Sequence, residues 1–471
     1  MYSSRRAHGR PALAGRTEEV LLSEISTVIP LGRTMSRSRR TVGSPTGLLI
    51  LLALGAALSG ASISIAGRAV RLDQVASLLL AVRLATELLF GFRRLFIDGA
   101  TVALGGYFAV TAFSSLTAPD PSNSILQTGN IAVLGIIYVW LINFLDSPTV
   151  FNRFVRVNFM VAIGAIGFGV VVYLAALVGV SDVLAPIGFS ESVGYGAHGT
   201  MREPNIFGSY AALFFVLGLT TVAGRSSLPD LKLTSRLRLV SGIGLVLSFT
   251  RASWVGALAV VLPLLIGLRR RLRWSRIAAL AGSAILAVSI AASPLVPENY
   301  LKFKVQNLVN FNTSSAAGRL AIWDKALTES VERPWFGWGC YSYGDKNAEP
   351  GTPRALRPWI GNFAVTALHD SGIIGTSLLF LFLGINLIGG LRASRQLWSI
   401  EPTSSVRLVG LVYGVVALLI AFLATTGFSY GYPWIALGLI GAYRRRARQL
   451  LRRRRLTVGD KLALESPPLT A

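Results

Sequence analysis

The feature that most constrains this chain is a succession of apolar blocks, each long enough to cross a bilayer. A spanning helix needs about 20 consecutive, mostly apolar residues. Blocks of that kind fall near 46–66, 72–92, 98–117, 125–145, 155–179, 206–224, 239–250, 252–268, 277–295, 364–390, 407–427 and 432–443. The seventh and twelfth are short. Composition agrees: 52% of residues are hydrophobic and only 14% charged, against about a quarter charged in soluble domains. The 48 glycines fall frequently inside the blocks, as in packed membrane helices. The expectation is an all-α polytopic membrane protein of about twelve transmembrane helices with one large extracytoplasmic loop.

The basic residues give the direction. The formal charge of +24 would suggest nucleic acid on a soluble protein. Here the cations concentrate between apolar blocks, so orientation is the better reading and no nucleic acid partner is expected. Basic connections at Arg93–Arg94, Arg153 with Arg156, Arg225 to Arg238, Arg269 to Arg276 and Arg392 to Arg407 alternate with connections poor in Lys and Arg. The positive-inside rule then puts both termini in the cytoplasm, in the cytoplasmic (inner) membrane. The organisation reads as a disordered segment 1–45, helices over 46–295, an exported loop 296–363, three helices over 364–443 and a basic tail 444–471. The tail's run RRRARQLLRRRR reads as a stop against translocation and a contact for anionic lipid. Met35 opens a second plausible start. In the weak second span, Arg83 and Glu87 lie four apart and can pair on one face.

One cysteine and three histidines do not furnish a His/Cys metal cluster, and there is no Asp-x-Asp pair for a metal-dependent sugar-nucleotide site. No cofactor is expected.

Three arginines break the pattern on the outer side: Arg202 in HGTMREPNIFGSY, Arg251 in LSFTRASWVG and Arg319 in SSAAGRLAIWDKAL. Arg251 fills a tight turn between two apolar helices. It is either a snorkelling, carbonyl-capping residue or half of a bidentate anion site. Arg202 can pair with Glu203 or join Arg251 and Arg319 at a diphosphate. After Arg319 the apolar residues Leu320, Trp323, Leu327 and Val331 recur every three or four positions until Pro334. That is a helix with one apolar face. It either lies in the membrane interface with Trp335, Phe336 and Trp338 at its end, or packs on its own protein.

At these residues the chain resembles the O-antigen ligase and O-antigen polymerase superfamily. LSFTRASWVG is similar to its Ser/Thr-Arg turn, and GRLAIWDKALTESVERPWFGWG to its outer-loop signature. GNFAVTALHDSGIIG resembles the end of that loop, with Asn362, Gly372 and Gly375 at the family spacing. MREPN resembles an Arg-Glu-Pro-Asn element. The resemblance covers about 200–375. It implies an inverting, metal-independent glycosyltransferase that takes a glycan from an undecaprenyl-diphosphate carrier. The acceptor would be a glycan or lipid-glycan hydroxyl, with membrane lipids around it. Arg202, Arg251 and Arg319 would then bind the diphosphate. Gly361 stands where the family has a His, so the base role falls to Glu203, His369 or His198, or to none of them. Ligase and polymerase share these motifs. A transporter or flippase of lipid-linked glycan is the reading from another class.

Overall fold

A computed structural model describes residues 46–65, 68–92, 94–145, 147–177, 196–201, 203–223, 231–268, 314–353, 356–425 and 427–465. Within them the chain is helical apart from one hairpin. The order is α1 (Thr46–Ala57), β1 (Ser62–Ile65), β2 (Arg68–Arg71), α2 (Leu72–Leu89), α3 (Gly99–Ser115), α4 (Pro121–Phe144), α5 (Pro148–Leu177), α6 (Pro204–Ala223), α7 (Leu231–Leu247), α8 (Arg251–Leu268), α9 (Ser314–Glu332), α10 (Ser342–Asn347), α11 (Phe363–Leu397), α12 (Pro402–Ala421) and α13 (Gly431–Glu465). Two 3₁₀ turns, Phe422–Ala424 and Gly427–Ser429, join the last two helices.

Several starts follow local rules. Asp98 and Asp120 accept hydrogen bonds from Thr101 N and Asn123 N (both 3.0 Å), capping α3 and α4. Pro121 and Pro402 occupy first-turn positions, where no helical N–H is lost. Asn362 caps α11 by accepting from Ala364 N (3.0 Å) and Val365 N (3.3 Å).

The helices over Pro121–Phe144, Pro148–Ala176, Phe363–Leu397 and Pro402–Ala424 are long and apolar enough to cross a membrane. Shorter apolar helices cover Thr46–Ala57, Pro204–Thr220 and Arg251–Leu264. These helices make the chain a multi-pass membrane protein. The first expected span, 46–66, differs: its helix ends at Ala57, and a hairpin follows, pairing Ser62 with Arg71 and Ile65 with Arg68. Ser62, Ile63, Ser64 and Ile65 alternate polar and apolar, a strand period that the apolar content of the block conceals. The expected ninth span, 277–295, lies outside the described residues.

The core centres on α4, α11 and α13, where Tyr138, Trp140, Phe382 and Trp434 are fully enclosed. Small residues permit close approach. On α12, Gly410 and Gly414 leave no room for a Cβ against Leu217 with Thr220 and against Leu213 of α6. The expected Arg83–Glu87 pair forms, at 3.0 Å, with Glu87 buried.

The start of the tail is held by the protein itself. α13 runs unbroken through it, and its first arginines turn inward rather than toward lipid. Arg444 is buried, 3.3 Å from Asp98 and 3.0 Å from Asn386. Arg445 donates to Ile142 O (2.6 Å), and Arg446 meets Glu401 at 2.6 Å. Carboxylates and carbonyls at the ends of neighbouring helices claim these cations before headgroups can.

Candidate active site

The site is built around a break in α11. At Gly372 the backbone takes φ 63° and ψ −168°, which only glycine adopts without strain. The break releases four backbone groups, and the segment after α9 answers each of them. Trp338 N donates to His369 O (2.8 Å) and Gly339 N to Asp370 O (2.9 Å). In return Ile373 N donates to Pro334 O (2.7 Å) and Ile374 N to Trp335 O (3.3 Å). The approach is so close that a Cβ on Gly372 would lie 2.4 Å from the Trp335 carbonyl, and one on Gly337 2.5 Å from His369 O. The run Pro334–Gly339 is thus a clasp laid backbone to backbone on the kink. Gly375 sits one turn on, facing Val110 of α3.

The clasp is tightened by side chains. His369 is fully buried, its Nε2 3.1 Å from Glu329 and its Nδ1 3.4 Å from Asp370. Asp370 also accepts from Tyr341 N (2.9 Å). Asn347 donates to Glu329 (3.2 Å). Burial, with the Glu329 carboxylate nearby, pushes the Tyr343 phenol up. The Lys346 ammonium and Arg333 guanidinium lie 3.5 and 4.0 Å from the Trp338 ring centroid, and Lys346 also meets Glu332 at 3.1 Å and Glu329 at 3.8 Å.

Beside the clasp opens a polar cleft of about 450 Å³. One wall carries Arg71 and Gln74 of the hairpin and α2, another Asn123, Gln127 and Asn130 of α4. The loop supplies Tyr341, Asp345, Arg357 and Trp359; Glu203, Ser429 and Tyr430 complete the lining. Its charges are largely satisfied. Arg71 donates to Asp73 (3.1 Å) and to Ser429 O, and its guanidinium lies 5.0 Å from the Tyr430 ring centroid. Arg357 pairs with Asp345, which also accepts from Asn123 (2.9 Å).

The structure separates the expected site residues into groups. Glu203 lines the cleft. His369, Asn362, Gly372 and Gly375 lie in the clasp and the start of α11, and none lines the cleft. His198 is half-buried with its ring 3.2 Å from Met201 O. Arg251 is the first residue of α8, which packs on α12 and on the turn Phe422–Ala424. Arg319 of α9 donates to Ala424 O (3.2 Å). Both arginines therefore belong to elements that meet at this turn. Arg202 lies outside the described residues; on either side of it in sequence, Ala197 N donates to Leu247 O (2.9 Å), and Gly208 leaves no room for a Cβ against Thr250. Among the described residues two non-glycines hold positive φ, Phe249 (51°) and Tyr341 (58°). One precedes Arg251 by two positions and the other lines the cleft, and strained backbone of this kind concentrates at functional sites.

Residues 237–380 match the family model described as O-antigen ligase. Over this stretch the chain is similar to the O-antigen ligase family. Comparison with curated proteins gives no match. The O-antigen ligase segment contains Arg251, Arg319, the whole clasp and the cleft wall from Tyr341 to Trp359. Arg202, Glu203, Arg71 and the α4 amides lie outside it.

The O-antigen ligase motifs acquire physical meaning here. The asparagine of the loop-end motif caps a membrane helix. Its glycines permit the clasp. Gly361 adopts φ 65°, and a Cβ there would sit 3.0 Å from the Trp359 ring. This backbone is shaped for glycine, so histidine cannot simply be restored. The residues that sequence reading missed are those lining the cleft from α2 and α4. Asn123, Gln127 and Asn130 recur at four and three, so three carboxamides share one side of α4. That carboxamide stripe is the signal that could have found them.

Proposed function

We propose that this protein transfers or polymerises a polysaccharide from an undecaprenyl-diphosphate carrier onto an acceptor on the extracytoplasmic side of the inner membrane. The observation that carries the reading is that the matched O-antigen ligase segment supplies one wall of a large polar cleft. The rest of that lining includes the carboxamides of Gln74, Asn123, Gln127 and Asn130 and the ring of Tyr430. Carboxamides match the paired donor and acceptor character of sugar hydroxyls, and the cleft is large enough for several sugar rings.

In this proposal the acceptor hydroxyl oxygen attacks the anomeric carbon from the face opposite the diphosphate, inverting it. The bond from that carbon to the phosphate oxygen breaks, and the diphosphate leaves with the electron pair. Arg251 and Arg319, with Arg202, hold the departing charge by charge-assisted hydrogen bonds. Glu203, the carboxylate among the expected residues that faces the cleft, takes the hydroxyl proton. His369 is enclosed by Glu329 and Asp370, so its part is to hold the clasp.

The test is the size distribution of lipid-linked glycan in cells lacking the protein, with and without complementation. Accumulated single repeat units identify a polymerase. Long chains left on the carrier, with none on the final acceptor, identify a ligase. Glycan trapped on the cytoplasmic leaflet would overturn the transferase reading in favour of a flippase.

A further inference from the structure

The surface of α9 is divided into three sectors. At about 100° per residue, Leu320, Leu327 and Val331 fall within an arc of about 40°. These residues are strongly exposed, Leu320 at 62% and Val331 at 77%. Asp324, Lys325, Thr328 and Glu332, all exposed, occupy the adjoining arc. The third arc, with Ile322, Ala326, Glu329 and Ser330, packs on the body. That side is fastened by Glu329 to His369, by Trp323 Nε1 donating to Ile360 O (2.8 Å), and by Arg319 donating to Ala424 O.

A helix in water has no use for a separate apolar arc, and one wholly in lipid would not display Asp324, Lys325 and Glu332. Three sectors suit a helix lying along a boundary, with protein beneath, apolar medium on one flank and water on the other.

The apolar arc is continuous with other exposed apolar surfaces. It runs into Trp335 (62% exposed) and Phe336. The Pro334 and Trp335 carbonyls accept from Ile373 and Ile374 of α11. The outward face of that membrane-spanning helix continues through the exposed Ile373, Phe380, Leu381 and Ile388. Phe336 also meets Phe113 of α3 edge-on at 5.0 Å, and Phe113 and Leu116 are exposed too. Tryptophan and phenylalanine at the junction sit where an aromatic belt belongs.

We infer that α9 is a membrane-surface helix: Leu320, Leu327, Val331 and Trp335 dip into the lipid of the leaflet on the large-loop side, while Asp324, Thr328 and Glu332 face water. The helix thereby sets the depth of Arg319 at the headgroup layer. The inference does not depend on the glycosyltransferase reading.

The test uses the full chain in phosphatidylethanolamine–phosphatidylglycerol nanodiscs, spin-labelled at single introduced cysteines. The native Cys340 is buried, and the unsubstituted protein serves as its control. At Leu327→Cys and Val331→Cys, collisions with molecular oxygen should exceed those with a water-soluble nickel chelate. At Asp324→Cys and Thr328→Cys the order should reverse. Leu320→Cys replaces either apolar position if its variant elutes as aggregate. Equal nickel access at Leu327 and Thr328 would put the helix in water and overturn the inference. Exclusion of both reagents at Leu327, with spin–spin broadening, would mean a second copy covers the face, and would overturn it too.

Discussion

Replacing Gly372 with alanine should unfasten the clasp. The added Cβ would lie 2.4 Å from both the carbonyl carbon and the oxygen of Trp335. These are backbone atoms with no rotamer to yield, so the Trp335 peptide must move. Two costs follow. Holding a non-glycine at φ 63° and ψ −168° costs on the order of 1–3 kcal/mol. Displacing the peptide breaks the bonds from Ile373 and Ile374, each worth about 1 kcal/mol net. Together they reach about 3–5 kcal/mol, and the lower end is already more than a hundredfold in the folding equilibrium. Gly384→Ala is the control: it lies further along α11 with nothing within 4 Å of the added methyl. It should be neutral or stabilising by up to about 1 kcal/mol. Unfolding of purified protein in mixed micelles with rising SDS, followed by tryptophan fluorescence, reads both. If Gly372→Ala unfolds with the wild type, the backbone-to-backbone clasp is wrong and the glycine is there for another reason.

Asn362→Ala should lose about 1 kcal/mol by uncapping α11, whereas Asn362→Asp retains the acceptor and should melt like the wild type in the same assay. His369→Ala takes one partner from each of the buried Glu329 and Asp370, which keep Asn347 and Tyr341 N, and should destabilise by about 1–3 kcal/mol. Transfer activity per folded molecule should fall far less than for Arg251→Lys. Arg251→Lys keeps charge but loses the planar fork; near-complete loss of transfer with normal insertion is expected, and full activity would remove the bidentate-diphosphate argument. Burial raises the Glu401 carboxyl, but hydrogen bonds from Arg446 and Ser404 outweigh it and hold the group below its ordinary range. A depressed folded value stabilises above the unfolded value of about 4.3. That contribution fades as pH falls through the folded one. Glu401→Gln should therefore melt lower than the wild type at pH 7, and the gap should close in acid.

The sequence made the membrane class legible because apolar length is a one-dimensional property. It also marked Asn362, Gly372 and Gly375 by spacing, although not what they do: a cap and a kink need partners, and Trp335 lies 37 positions before Gly372. The Arg83–Glu87 pair was legible because both partners share one helix face. The cleft was hidden for the opposite reason. Its lining comes from α2, α4, Glu203, the large loop and the turn before α13, and hydropathy alone cannot say which spans are neighbours. The start of the tail was hidden in the same way. Arg444 and Arg446 are received by Asp98, Asn386 and Glu401, from three other segments, whereas Arg452, Arg453 and Arg454 of the same run stay exposed.

That tail has a mechanical consequence. α13 is one rod of 35 residues, about 52 Å long at 1.5 Å per residue. At its start Gly431 N is held by Asp73 (2.9 Å), beside the cleft residues Ser429 and Tyr430. Fifteen residues on, Arg446 is gripped by Glu401. A continuous helix transmits rotation, so the two grips must agree in phase. One residue inserted between them would turn the far end by about 100°, and one grip would have to let go. The rod works as a dowel through the bundle: whatever seats its basic end also fixes the angle at which the cleft's lip is presented.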